Sequence, residues 1–365
     1  MRQFLLAVGL LAGTIMGAGI FSLPYIFRLV GIGLGTVYLV AFALIYFVIH
    51  WRYAQVLHTN QAGHHFFYFA KKYLPPWAAR LASFTVLGGL LFTLTVYLIL
   101  SASFANIAFN GFSSTAVIIF WLLGSVFIFA RTWVLGVAEI VGIGGIVLIV
   151  LVILFTGGVG VVDVPAIQPV SIPLLLLPFG PLLFAFAARS AIPKVYEVYR
   201  SAREKFSLKR AIFWGTMIPI VVYLFFVVGV LRLAPDVTPD TISSLGFLSP
   251  TVMLLIGIMG LLTLWTSYIM IGSNMFDILR TDVFKSRWAS GVVAVFAPLT
   301  LYALGIQNFL VAVSITGGIF LALEASFVMM IWAKAEPRRY VVLATVPLYI
   351  IFAVGAAYEV VRFVF

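Results

Sequence analysis

Long apolar runs follow one another from end to end of this chain, separated by short polar or basic connectors. A helix rises about 1.5 Å per residue, so about 20 apolar residues cross the hydrocarbon core of a bilayer. By that measure eleven spans are predicted, at about Phe4–Phe27, Gly33–Val56, Leu81–Phe109, Thr115–Ala130, Trp133–Phe155, Ile172–Arg200, Ser207–Leu231, Pro250–Leu279, Trp288–Leu304, Phe309–Trp332 and Tyr340–Phe363. Thr59–Pro76, between the second and third, is polar and aromatic and predicts a short amphipathic helix lying on the membrane surface. Its His64–His65 pair reads as solvated and interfacial, because adjacent residues of a helix do not face each other as metal ligands would.

The first run is interrupted. GTIMGAGIFSLPY, Gly13–Tyr25, places three glycines and a proline where a span should be continuous. In hydrocarbon a helix breaks only where it is buried in protein or lines a wet cavity, since each amide and carbonyl needs a partner. Gly17 and Gly19 allow unwinding and close approach to bare backbone. The amides freed at the new helix start suit a carboxylate, and the freed carbonyls suit a cation or an ammonium group. Taken alone, the stretch is equally compatible with small-residue packing against a neighbouring helix.

Composition agrees with the pattern: 64% of residues are hydrophobic and 9% charged, far from an ordinary soluble domain. Cysteine is absent, which excludes disulfides and thiolate metal sites. Met1-Arg2-Gln3 and the apolar residues after it look like a signal peptide only superficially, because the run continues through the break to Ile26 without a small-x-small cleavage site. The net charge of +11 is a matter of topology. With a cytoplasmic N-terminus, eighteen Lys and Arg fall on the inner side and only Arg28, Arg232 and Arg362 on the outer. A multi-pass plasma (inner) membrane protein with its C-terminus outside is therefore predicted, with the lipid bilayer as surroundings and no nucleic acid as partner.

The sixth run is interrupted too. FGPLLFAFAARSAIPKVY, Phe179–Tyr196, carries Gly180, Pro181 and a cluster of small residues before Pro193. A shift of 169 residues aligns Ser22–Phe27 with Ala191–Tyr196, and comparable offsets overlay the second to fifth spans on the seventh to tenth. Five spans per half make the second half inverted. The expected organisation is one transmembrane domain, 1–365, with repeats at about 4–156 and 172–333 and an extra helix at about 340–363.

GTIMGAGIFSLPY in the first span, FAFAARSAIPKVYEVYR in the sixth, and Thr266-Ser267 followed by Gly272 and Asp277 in the eighth resemble the amino acid/auxin permease-type transporters. These belong to the amino acid–polyamine–organocation (APC) superfamily, and the eleven-span count is similar to the hydroxy and aromatic amino acid permeases among them. The resemblance covers essentially the whole chain. It implies an all-α, five-plus-five inverted-repeat (LeuT-like) fold with discontinuous helices 1 and 6, and an amino acid held near the midplane between the two breaks. It would place the substrate carboxylate on the amides of Gly17, Ala18 and Gly19 with Thr14 nearby, and the ammonium at carbonyls near Phe184, Ala185 and Phe186. Tyr97, Thr263, Thr266 and Ser267 are candidates for further polar contacts. Tyr97 reads equally as a core aromatic with a satisfied hydroxyl, and the eighth-span hydroxyls as groups bonded back to their own helix.

Arg189 departs from that pattern by placing a permanent cation beside the sixth-span break. Three readings are open: it occupies the region of a coupling ion and makes the protein sodium-independent; it pairs with Glu139 or an anionic substrate group; or it snorkels to the interface. Two acids lie inside spans, Glu139 in the fifth and Glu324 in the tenth, about two turns past Gly317-Gly318, and each is a candidate proton carrier or a neutral tie between helices.

The sequence thus predicts a secondary transporter importing a neutral, hydrophobic or aromatic amino acid by proton symport, without cofactor or metal. An amino-acid-sensing receptor of the same fold, similar to spore germination permease-like proteins, is the alternative, and a sodium symporter ranks lower. No glycine-rich phosphate loop, His-Glu-x-x-His or nucleophile elbow supports an ATPase or a hydrolase.

Overall fold

A computed structural model describes residues 1–60, 66–111, 113–129, 132–157, 171–234, 236–336 and 339–364. The chain is helical at each expected span. Among the described residues, eight helices are long and apolar enough to cross a bilayer, and Arg2–Ile15 with Ala18–Val30, bent by 45°, makes a ninth if the pair is one span. The fourth and ninth spans are shorter, Ser113–Phe127 and Arg287–Ala303, at 15 and 17 residues. The membrane face that carries the N-terminus is called proximal below, and the other distal. The predicted surface helix is present as Phe66–Tyr73, with Phe66, Phe67 and Phe69 buried and Lys71 and Lys72 exposed. His64 and His65 lie outside the described residues.

The two breaks share one design. The first helix ends at Ile15; Gly17 is extended (φ −127°, ψ −154°), a 3-10 turn covers Ala18–Ser22, and Leu23–Val30 resumes the helix. In the sixth span the helix Phe179–Phe186 ends in extended Ala187, a 3-10 turn covers Arg189–Ala191, and Ile192–Ser201 follows. The restarts at Leu23 and Ile192 are 169 residues apart, and Pro24 and Pro193 occupy the same first-turn position, where a missing amide costs nothing. Gly180 and Pro181 do not form the sixth break: they lie within Phe179–Phe186, and the break comes at Ala187–Ala188. Gly180 is small for another reason, since a Cβ there would lie 2.7 Å from the Ser314 carbonyl of the tenth span.

Around the broken pair, the eighth span packs on the third and fifth, and the seventh on the first, second and fifth. Lipid tails offer no hydrophobic drive between helices, so close backbone approach through small residues holds such a bundle. Gly257 illustrates it, because a Cβ there would lie 2.8 Å from the Phe104 carbonyl. The tenth span is a helix Phe309–Ile315, a π-helical turn Thr316–Leu321 and a helix Ala322–Ala335. The π turn packs on the distal half of the sixth span, and the eleventh helix, Arg339–Val364, lies against the tenth.

Candidate functional site at the crossing of the two breaks

Where the breaks cross, Gly19 sits so close to the sixth span that a Cβ would lie 2.5 Å from the Ala185 Cα. Beside this contact is a cavity of about 90 Å³ lined by both breaks and by the third, eighth and tenth spans. Of the residues singled out in the sequence, it brings together Thr14, Gly17, Ala18, Gly19, Tyr97, Phe184, Arg189 and Glu324. Ala18 and Gly19 open the 3-10 turn, so their amides have no acceptor within that turn. The helix Phe179–Phe186 ends at the same crossing, and Phe184 and Ala187 line the cavity beside those amides, so a helix start and a helix end meet there.

Other predicted residues are placed differently. Ala185 and Phe186 do not line the cavity: the Ala185 carbonyl accepts a hydrogen bond of 2.7 Å from Tyr223, and Phe186 is wholly buried edge-on against the Tyr223 ring. Thr263 faces the fifth span, 3.4 Å from the Gly142 carbonyl, and a Cβ at Gly145 would strike its hydroxyl oxygen. Thr266 bonds back to the Thr263 carbonyl at 2.8 Å. Ser267 lies within reach of the Tyr97 hydroxyl and so supports a lining residue from behind. The backbone of Glu139 belongs to the helix Thr132–Gly157, and its side chain lies outside the described residues.

The cavity floor is ionic. Arg189 Nε donates to Glu324 Oε1 at 2.6 Å, with both side chains only 12% exposed. The guanidinium lies 4.7 Å above the Phe66 ring of the surface helix, a cation–π contact that closes the proximal side. Of the three readings of Arg189, the geometry favours pairing, with Glu324 as the described partner. Farther toward the proximal face, Arg52 stacks on Trp332 at 3.9 Å and Phe4 meets Phe206 edge-on.

Asn274, Ile271, Thr93 and Tyr223 are among the site residues that escaped the sequence reading. Asn274 and Ile271 line the cavity from the eighth span, seven and four residues after Ser267, a helical spacing that puts all three on one face. Thr93 is one turn before Tyr97. Tyr223, of the seventh span, is fully buried, and its hydroxyl lies 2.7 Å from both the Ile15 and the Ala185 carbonyls, tying together the ends of the two interrupted helices. A lone amide in an apolar span was a usable signal for Asn274. Tyr223 carries no local signal.

Comparison with solved structures supports the fold. The chain is similar to the Eremococcus coleocola manganese transporter in complex with an aromatic bis-isothiourea substituted compound (TM-score 0.63, 13% identity, 98% of this chain and 86% of that one). It is also similar to MhsT in complex with L-phenylalanine (TM-score 0.58, 13% identity, 99% and 97%). A third similar structure is MHP1, a nucleobase-cation-symport-1 family transporter, closed with bromovinylhydantoin bound (TM-score 0.62, 12% identity, 98% and 90%). With the all-helical architecture, these likenesses establish the five-plus-five fold with discontinuous first and sixth helices. No curated protein matches the sequence. A family model described as the tryptophan/tyrosine permease family matches residues 1–361, nearly the whole chain. The chain is thus a multi-pass membrane permease and not an enzyme, and it belongs to the tryptophan/tyrosine permease family.

Proposed function

We propose that this permease imports a neutral, hydrophobic or aromatic amino acid across the plasma membrane by proton symport, with the proximal face cytoplasmic. The observation that carries the reading is the crossing itself: the orphan amides of Ala18 and Gly19 lie beside the carbonyl end of Phe179–Phe186, in one small cavity. A zwitterion needs both polarities at that spacing, its carboxylate on the amides and its ammonium on the carbonyls. Family membership and a solved neighbour holding L-phenylalanine support an aromatic side chain. Tyr97, Thr93 and Asn274 supply polar contacts, and Phe184 supplies an apolar face.

A cavity of about 90 Å³ is smaller than the few hundred typical of ligand pockets, so substrate entry requires the walls to part. The Arg189–Glu324 pair bridges the sixth and tenth spans across that floor, and it is the element we assign to coupling. A permanent cation in the floor disfavours sodium there and leaves the carboxylate to exchange its partner for a proton. Placing eighteen Lys and Arg on the cytoplasmic side supports the orientation.

Counterflow in proteoliposomes tests the reading. Labelled tryptophan, tyrosine or phenylalanine should exchange, and uptake should follow an inward proton gradient when choline replaces sodium. Binding without exchange would instead assign an amino-acid sensor, and uptake lost without sodium would overturn the reading of Arg189.

A further inference from the structure

The eleventh helix brings a carboxylate into the bundle that the site above does not use. The Glu359 side chain is only 3% exposed. Its Oε2 lies 3.7 Å from Arg362 Nη1, while Oε1 is buried with no hydrogen-bond partner among the described residues. The carboxyl fills a notch made by two missing side chains. A Cβ at Gly180 would lie 2.9 Å from Glu359 Oε1, and a Cβ at Gly318, in the π turn, would strike Glu359 Cγ. The same Gly180 position is 2.7 Å from the Ser314 carbonyl, and the Ser314 hydroxyl is also buried without a partner.

Among the described residues no donor reaches Oε1, and the nearby Ser314 hydroxyl makes no hydrogen bond. Arg362 is the charged group acting on Glu359, and it sits to one side on the same helix, one-third exposed toward the distal face. The segments packed on this helix from the sixth span, Ile172–Leu176 and Phe179–Phe186, carry no ionisable side chain, and neither do Phe309–Ile315 and the π turn of the tenth. Farther along the tenth span are Glu324, held by Arg189, and Lys334 and Glu336 near its proximal end. On its own helix the other ionisable side chains are Arg339, Tyr340, Tyr349 and Tyr358, the last donating to the Pro173 carbonyl. An ionised carboxylate is acceptor-only. A proton on Oε1 gives the notch a donor of its own.

Resting on the proton-symport reading above, we propose that Glu359 is a proton-binding site on the distal side of the permease, formed between the eleventh helix, the Gly180 turn of the sixth and the π turn of the tenth. The proton comes from distal water along the Arg362 edge and binds Oε1, which joins the three elements. Its loss leaves a buried Oε1 without a donor, with only Oε2 facing Arg362, and loosens the joint. The notch adjoins two elements that line the candidate site: Gly180 lies one turn before Phe184, and Gly318 lies six residues before Glu324.

The test is Glu359→Gln in proteoliposomes, which preserves shape and carries its own donor. Counterflow of labelled amino acid should persist, while accumulation driven by a proton gradient should be lost. Wild-type-like accumulation in the variant would overturn the assignment of Glu359 alone; a wild type that ignores the gradient would overturn the proton-symport reading with it. If the variant fails to fold, wild-type protein in lipid answers the question through a hydrophobic carbodiimide, which attacks protonated carboxyls. Peptide mass mapping should find the adduct at Glu359, increasing toward acid pH, and its absence there would refute the proposal.

Discussion

Removing one partner of the Arg189–Glu324 pair tests the largest share of this reasoning. The side chains meet at 2.6 Å and are each 12% exposed, so Glu324→Gln leaves a cation in the floor that cannot shed its charge. Breaking one side of a buried pair costs about 3–5 kcal/mol, whereas removing both charges together costs far less, because neither is left uncompensated. Arg189→Gln, Glu324→Gln and the double variant should therefore show a coupling of about 2–3 kcal/mol in unfolding free energy. Reversible unfolding in mixed micelles, followed by the fluorescence of the eight tryptophans, measures it. The cycle also separates structure from transport. The double variant should recover most of the lost stability yet fail to accumulate substrate when an inward proton gradient is applied. Single-variant effects that add to within about 0.5 kcal/mol would refute the pair as a stabilising unit. A double variant that still accumulates substrate would refute its role in coupling.

Three further substitutions address the crossing itself. Gly19→Ala drives a methyl into the Ala185 Cα at 2.5 Å, backbone against backbone, and should abolish binding in a thermal-shift assay with aromatic amino acids while the protein remains folded. Tyr223→Phe removes the hydroxyl that serves two buried carbonyls and should cost about 1–3 kcal/mol in unfolding free energy; an unchanged midpoint would show that water replaces it. Asn274→Leu removes one neutral hydrogen-bonding group from the cavity wall and should weaken substrate binding by about threefold to tenfold, as measured by calorimetry, with little change in stability.

The spans were legible because hydrocarbon sets a length, and a run such as Gly33–Val56 has no other soluble explanation. The first break was legible because Gly17 and Gly19 are poor helix residues. The sixth was legible only as a stretch, Gly180–Pro193, which contains it; it could not be pinned to Ala187–Ala188, because alanines are strong helix formers with no local reason to unwind. Their non-helical backbone comes from tertiary demands: Gly19 crossing at Ala185, and Arg189 reaching Glu324 on another span. Facing was the least legible property. A helix apolar all round gives no moment to orient it, so Thr263 could not be assigned to the fifth span, or Asn274 to the cavity, before packing fixed their rotation. The π turn at Thr316–Leu321 was hidden as well, since Gly317 and Gly318 within an apolar run carry no mark of it.

Tyr223 makes one joint of two breaks. Its hydroxyl lies 2.7 Å from both the Ile15 and the Ala185 carbonyls, and the Ile15 oxygen also accepts from the Gly17 amide at 2.8 Å, so the single phenol proton can serve Ala185 while both helix ends stay satisfied. One side chain of the seventh span thus latches two interrupted helices together, and any movement that separates them must first give up one of its two contacts.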